Sequence, residues 1–220
     1  MDKRLTDLTY KQWIRYVFDH EVTSPEWHFE LDVEYWDGPS AATVAYMTRL
    51  LADPLAVVGS YTDAQLNQGL WYIASSGFML ALGDASVPMA NRVGCIRAIF
   101  PLYRDLFAPR CTPHLGHRGE QGSNPLNSVC YMWWELMPVM GSPDDPVWSD
   151  FDTAVLEVMA QTLELASAAC QEGALHGLGH WAWVYPHRVT TIIEQYLQCQ
   201  PQLRQELKQY AQAARSGCVL

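Results

Sequence analysis

Three residues that could share one chemical task are evenly spaced along a single predicted helix. Glu172, His176 and His180 recur every fourth position, so a helix spanning about residues 168–184 places them in one stripe. Neutral imidazoles at this spacing can chelate a divalent metal, and the carboxylate could coordinate it or orient a histidine. The pattern differs from the His-Glu-x-x-His motif of zinc proteases, because the residues between the histidines are Gly-Leu-Gly. A structural alternative is a close helix crossing that the glycines allow, with the histidines bound to carbonyl or carboxylate groups of a neighbour.

A long polar loop over residues 108–124 contains a second set of candidate ligands. Cys111, His114 and His117 recur every third position, which is compatible with half of a zinc site. A histidine of the helix would complete it, and the candidate metal ligands are then Cys111, His114, His117, Glu172, His176 and His180. The alternative is a loop that packs over the next helix, with its histidines capping helix ends or facing solvent. A nucleophilic Cys111 has less support, since no orienting or oxyanion-stabilising group stands out.

A third candidate is the segment of residues 26–37, called here the acidic arm, which interleaves carboxylates with aromatic rings. Such a surface would attract a basic partner, unless it is simply a solvated face. Two arginines of the polar loop could also contact a partner. The candidate partner-binding residues are Glu30, Asp32, Glu34, Trp27, Trp36, Arg110 and Arg118. Every second residue from Phe29 to Tyr35 is apolar, which is typical of extended chain. Because no second strand is evident, we expect the arm to cross the helices as irregular chain.

Helical periodicity predicts the elements that position these residues. Apolar residues recur at helical spacing behind start signals such as the Thr62–Gln65 capping box, and the first helix should begin near Asp7. Pro101 should kink or split a helix. The segment of residues 124–138 is apolar on all sides, so we expect a central helix, although one of its tryptophans could instead line a partner groove. The pattern predicts an all-α protein of about nine helices in antiparallel pairs, most of 12 to 20 residues, in a single domain over residues 1–220.

Composition limits the classes of function. The 220 residues include 14 Lys+Arg and 24 Asp+Glu, for a formal net charge of −10, and 49% are hydrophobic. This acidity disfavours binding to a phosphate backbone, and no apolar run has the length of a membrane span. The start of the chain lacks the apolar core of a secretory signal, so we expect a cytoplasmic protein with reduced cysteines. Dinucleotide-binding, phosphate-loop and serine-hydrolase motifs are absent.

The run from Ala174 to Gly179 resembles the Ala-Leu-x-x-Leu-Gly register of HEAT-type helical repeats. The segments of residues 65–75 and 171–182 echo each other as glycine-containing helices, and the closing stretch over residues 213–218 is similar to an uncharacterised bacterial family of helical proteins. The resemblance implies stacked helix pairs, in an irregular α-solenoid or a bundle, and implies no activity.

These observations predict a non-catalytic, cytosolic protein-interaction module without a cofactor. Its partner would be a basic protein, and its role that of an adaptor or of an inhibitor that neutralises the partner. The alternative is a metal-binding protein or metal-dependent enzyme that uses the Cys/His cluster, with zinc as the ion. Neither nucleic acid nor membrane is an expected partner, and the oligomeric state is not predicted.

Overall fold

The computed structural model describes residues 3–30, 32–75, 77–137 and 141–219, and every structural statement refers to these ranges. The fold is all-α, as the periodicity predicts, with nine helices of nine or more residues in the described ranges. The helices are α1 (Tyr10–Phe18), α2 (Ser40–Ala52), α3 (Pro54–Val58), α4 (Asp63–Ser75), α5 (Gly77–Leu80), α6 (Met89–Arg97), α7 (Ile99–Pro101), α8 (Ala108–Arg110), α9 (Leu126–Leu136), α10 (Ser149–Leu163), α11 (Ala168–Trp181), α12 (Pro186–Cys199) and α13 (Gln205–Arg215). The long helices have 9 to 15 residues, and five of the nine lie within the predicted 12 to 20 residues.

Local signals set where these helices begin and break. The Thr62–Gln65 capping box is present, with each side chain bonded to the backbone N–H of the other residue. A second box at Thr9 starts α1 at Tyr10 rather than near Asp7. The predicted interruption around Pro101 is also present: α7 ends there, and a six-residue π-helical segment follows before α8.

The long helices pack in two series, and one of them builds the site described below. In that series α1 contacts α4, α4 contacts α9, α9 contacts α11, and α11 contacts α13. In the other series α2 contacts α6, α6 contacts α10, and α10 contacts α11 and α12. The buried apolar side chains form one contiguous core from Trp13 to Val219. The resemblance to HEAT repeats stays a prediction, since these contacts do not define a regular solenoid.

The two central helices are α9 and α11. In α9, Tyr131, Trp133 and Trp134 are buried, so the prediction that this segment is a central helix is confirmed. In α11 nearly the whole circumference is buried, including Glu172 and His176. A charged and a titratable side chain in such a position require polar partners inside the protein.

The acidic arm is more ordered than the alternation alone suggests. Its residues Tyr35–Trp36 form a short strand, β2, paired in parallel with β1 at Arg4–Leu5. The expectation that the arm has no strand partner is therefore wrong, because the N-terminal segment supplies one. A 3-10 turn occupies Trp27–Phe29, and Leu31, which belongs to the predicted alternation, lies outside the described residues.

All six cysteines are free thiols, as expected for reduced cysteines. Cys95, Cys130 and Cys170 are buried, and burial raises the pKa of Cys95 to about 12. Cys199, the last residue of α12, is exposed. Among the described residues, no helix combines the length and apolarity needed to cross a membrane.

Candidate metal-binding site

Three side chains from α9 and α11 converge on one point. The Nε2 atom of His176 lies 2.7 Å from Oε2 of Glu135 and 3.3 Å from Nε2 of His180. The Nε2 atom of His180 lies 3.6 Å from the same Glu135 oxygen. Two imidazole nitrogens and one carboxylate oxygen thus face one another, which is the donor set of many divalent-metal sites.

The close crossing of α9 and α11 brings these groups together. A Cβ atom on Gly173 would lie 2.4 Å from the backbone oxygen of Cys130, and one on Gly177 would lie 2.6 Å from Cβ of Trp134. Only glycine permits this approach, since real Cβ contacts are not that short. The prediction that these glycines allow a close crossing of two helices is therefore confirmed. The same crossing also sets Glu135 of α9 opposite the two histidines.

The cluster extends from the core to the surface. The side chain of His176 is 1% exposed, that of His180 is 32% exposed, and that of Glu135 is 42% exposed. Burial lowers the pKa of His176 below its usual value, although the hydrogen bond to Glu135 acts in the opposite direction. His176 is therefore a neutral imidazole near neutral pH, as a metal ligand must be.

Two tyrosines contact the His176 ring on the parts that do not face Glu135 and His180. The Tyr210 hydroxyl of α13 lies 2.7 Å from Nδ1 of His176 and 3.0 Å from the Tyr131 hydroxyl of α9. The Tyr131 ring also packs on the His176 imidazole, with ring centroids 4.3 Å apart. Burial raises the pKa of both phenols, so both keep their protons. The hydroxyl groups can thus donate as well as accept hydrogen bonds.

Glu172 has a different environment from the two histidines that share its stripe. Its carboxylate accepts hydrogen bonds from the backbone N–H groups of Gly116 at 2.8 Å and His117 at 3.0 Å. Its Oε1 atom also lies 2.5 Å from Nδ1 of His117. With both oxygens occupied, Glu172 holds the polar loop against α11 instead of contributing to the cluster.

The other predicted ligands lie outside the cluster. His114 contacts Oγ1 of Thr112 at 2.8 Å through Nδ1, and the His117 ring stacks on Tyr210 at 4.1 Å. Cys111 packs against the core beside Cys130. In the ranges that the structure describes, one group of three or more His, Cys, Asp or Glu side chains is close enough to share one ion, and it consists of Glu135, His176 and His180.

Comparisons of this chain with protein-family models, curated proteins and solved structures found no match. Any statement about function therefore rests on the geometry of the chain itself.

The predicted partner-binding residues differ widely in exposure. Trp27 is 5% exposed and stacks on His20, and Trp36 is partly buried with its indole N–H bonded to Thr43. Neither ring is presented as an open contact surface. The exposed aromatic side chains of the arm are Phe29, at 65%, and Tyr35, at 48%.

The charged residues of the predicted partner-binding set also differ in their contacts within the protein. Glu30, Asp32 and Glu34 are all exposed, and Asp32 forms an ion pair with Lys3. Arg110 forms an ion pair with Asp63 at 2.6 Å and donates hydrogen bonds to two backbone carbonyls. Its guanidinium group is therefore mainly occupied by contacts within the protein. Arg118 lies on the exposed surface.

Sequence reasoning missed Glu135 and Tyr210 as members of the site. Glu135 has one visible signal, since it is the only charged residue in the apolar α9 segment. Tyr210 has none, because it looks like any apolar position of the amphipathic helix α13.

Proposed function

We propose that the protein binds one divalent transition-metal ion, zinc in the first instance, through Glu135, His176 and His180. The single observation that carries this proposal is the convergence of their three donor atoms at separations of 2.7, 3.3 and 3.6 Å. Ligands held 2.0–2.1 Å from a tetrahedral zinc ion lie roughly 3.3 Å from one another. The two separations from His180 are close to this value, and the hydrogen-bonded pair of His176 and Glu135 would have to open by about 0.6 Å to admit the ion.

The surroundings of the cluster support binding over a purely structural hydrogen-bond network. The buried His176 is neutral, its second nitrogen is hydrogen-bonded, and Glu135 and His180 give the ion a route from solvent. Three protein ligands leave the fourth position of a tetrahedral ion open to water or to another molecule. The proposal is therefore a metal-binding protein whose ion remains accessible, without Cys111, His114, His117 or Glu172 as ligands.

Stoichiometry and a single substitution test this proposal. Untagged protein, stripped with a chelator and titrated with zinc against a chromophoric competitor, is expected to bind one ion per chain. His180→Gln removes one donor and should weaken the affinity by at least about 100-fold, beyond the effect typical of outer-shell changes. His187→Gln is the matched control, because His187 is an exposed histidine on α12.

Two results would contradict the metal site. One is a wild-type protein that holds far less than one equivalent of zinc, iron, nickel or manganese. The other is a His180→Gln variant that binds zinc as tightly as His187→Gln.

We also propose that the acidic arm binds a basic protein partner, in the non-catalytic role of an adaptor or of a neutralising inhibitor. Exposed Phe29 and Tyr35 beside the carboxylates of Glu30 and Glu34 support this, since aromatic rings supply contact area and acidic groups supply attraction. The six free thiols support a reducing compartment such as the cytosol.

A salt-dependent pull-down tests the arm. The protein, used as bait in extracts of its native host at low and high salt, should retain a basic protein at low salt and release it at high salt. Glu34→Lys combined with Phe29→Ser should abolish retention, whereas Glu194→Lys, an exposed acid on α12, should not. Identical protein sets on all three baits would rule out the arm as the binding surface.

A further inference from the structure

A chain of hydrogen bonds leads from the proposed metal site into α13. It runs from Nδ1 of His176 to the Tyr210 hydroxyl over 2.7 Å, and from there to the Tyr131 hydroxyl over 3.0 Å. Tyr210 is 6% exposed and Tyr131 is 9% exposed, so water has little access to these groups. The hydrogen bonds of Nδ1 and of the Tyr210 hydroxyl are therefore set by these neighbouring groups.

In the metal-free arrangement, the contact with Glu135 sets the direction of these hydrogen bonds. The Glu135 carboxylate can only accept, so the His176 Nε2 atom, 2.7 Å away, carries the ring proton and donates it. In the neutral ring, Nδ1 is then an acceptor, and the Tyr210 hydroxyl donates to it. The Tyr210 oxygen in turn accepts the hydrogen bond of the Tyr131 hydroxyl.

A metal ion at the site requires the opposite assignment. The Nε2 lone pair must face the ion, so the ring proton moves to Nδ1, and the net charge of the ring does not change. Nδ1 then donates to the Tyr210 oxygen, and the Tyr210 hydroxyl donates to Tyr131. The hydrogen bonds of Nδ1 and of the Tyr210 hydroxyl thus change direction between the same oxygen and nitrogen atoms.

We propose that Tyr210 is a positioning residue for the metal site, which accepts either direction of this chain and thereby lets His176 change tautomer when the ion binds. The inference rests on the proposed metal-binding function. A hydroxyl group suits this role because it both donates and accepts, whereas a backbone carbonyl could only accept.

The polar loop holds Tyr210 in place for this task. The His117 ring lies parallel to the Tyr210 ring at 4.1 Å, and Glu172 anchors His117 through its backbone and its ring. Residues from the predicted ligand set thus contribute to the site indirectly, by packing the residue that supports His176.

Nitrogen NMR of the wild-type protein tests the tautomer change directly. With ¹⁵N-labelled histidine, the His176 ring is expected to carry its proton on Nε2 without metal and on Nδ1 with one equivalent of zinc. Tyr210→Phe removes the partner of Nδ1 and should lower zinc affinity by about 10- to 100-fold, because a metal-bound imidazole is the stronger donor. Tyr196→Phe is the control, since this buried hydroxyl has no hydrogen-bond partner among the described residues and should be dispensable.

The outcomes separate this inference from the metal site itself. A wild-type protein that binds no zinc overturns both. Zinc binding that depends on His180, with the same His176 tautomer in both states or with equal affinities for Tyr210→Phe and Tyr196→Phe, overturns only the role of Tyr210. Should Tyr210→Phe fail to fold, the tautomer comparison in the wild-type protein decides.

Discussion

Glu172→Gln is expected to destabilise the protein by about 3 kcal/mol, a magnitude typical of removing one partner from a buried charged network. The carboxylate is 1% exposed and accepts from two backbone N–H groups and the His117 ring. A glutamine has nearly the same shape, but its NH₂ group would face one of these donors, and that N–H would be left buried without an acceptor.

The measurement is urea unfolding of the variant beside a matched control. Glu194→Gln changes an exposed carboxylate that pairs with Arg215 at 3.2 Å, and should lose at most about 1 kcal/mol. Trypsin should also cleave Glu172→Gln faster at Arg118, which lies on the loop that Glu172 anchors. Equal stabilities of the two variants would show that Glu172 does not anchor the loop.

Gly173→Ala is expected to destabilise the protein by about 2 kcal/mol, although alanine is the better helix former. The added Cβ would lie 2.4 Å from the backbone oxygen of Cys130, which cannot rotate away as a flexible side chain would. Overpacking costs about 1–3 kcal/mol and is expected at the upper end against rigid backbone, so about 3 kcal/mol less the roughly 1 kcal/mol that alanine gains in a helix leaves about 2 kcal/mol. To relieve the contact, α9 would have to shift and carry Glu135 away from the histidines, so zinc affinity should fall as well.

Gly94→Ala provides the control for helix propensity. Gly94 lies within α6, and a Cβ there meets no atom within 4 Å among the described residues. This variant should be unchanged or more stable by up to about 1 kcal/mol. Thermal unfolding should therefore show a lower melting temperature for Gly173→Ala, by roughly 2–4 °C per kcal/mol, and an unchanged or higher one for Gly94→Ala. If Gly173→Ala were as stable as Gly94→Ala, the crossing of α9 and α11 would have enough space for a Cβ atom at residue 173.

The acidic arm exposes different aromatic side chains from those that the sequence analysis selected. In a fully extended chain Trp27 and Phe29 would lie on the same face, yet Trp27 is buried and Phe29 is 65% exposed. The reason is the 3-10 turn over these residues, where positions two apart lie on different sides. Of the tryptophans selected as partner contacts, Trp27 is buried and Trp36 is partly buried, and the exposed rings are those of Phe29 and Tyr35.

Much of the architecture follows from local rules that act within a few residues. Apolar spacing specified the helices, Thr62 and Pro101 specified where helices start and break, and the apolar circumference of the α9 segment specified its central position. The same rules placed His176 and His180 on one face of α11, because helical geometry alone fixes residues four apart. The sequence by itself therefore determined two of the three proposed ligands.

Only the tertiary structure decided which residue is the third proposed ligand, and which of the other predicted ligands lie outside the cluster. Glu135 and His176 are 41 residues apart and meet because α9 crosses α11 at its glycines. Glu172 is one turn from His176, but the polar loop folds over it and its backbone N–H groups occupy both carboxylate oxygens. The spacing of residues along the chain determines which side chains share one stripe of a helix. Long-range packing determines which neighbouring element covers each turn of that helix. The neighbouring elements therefore decide which residues of the stripe share a site.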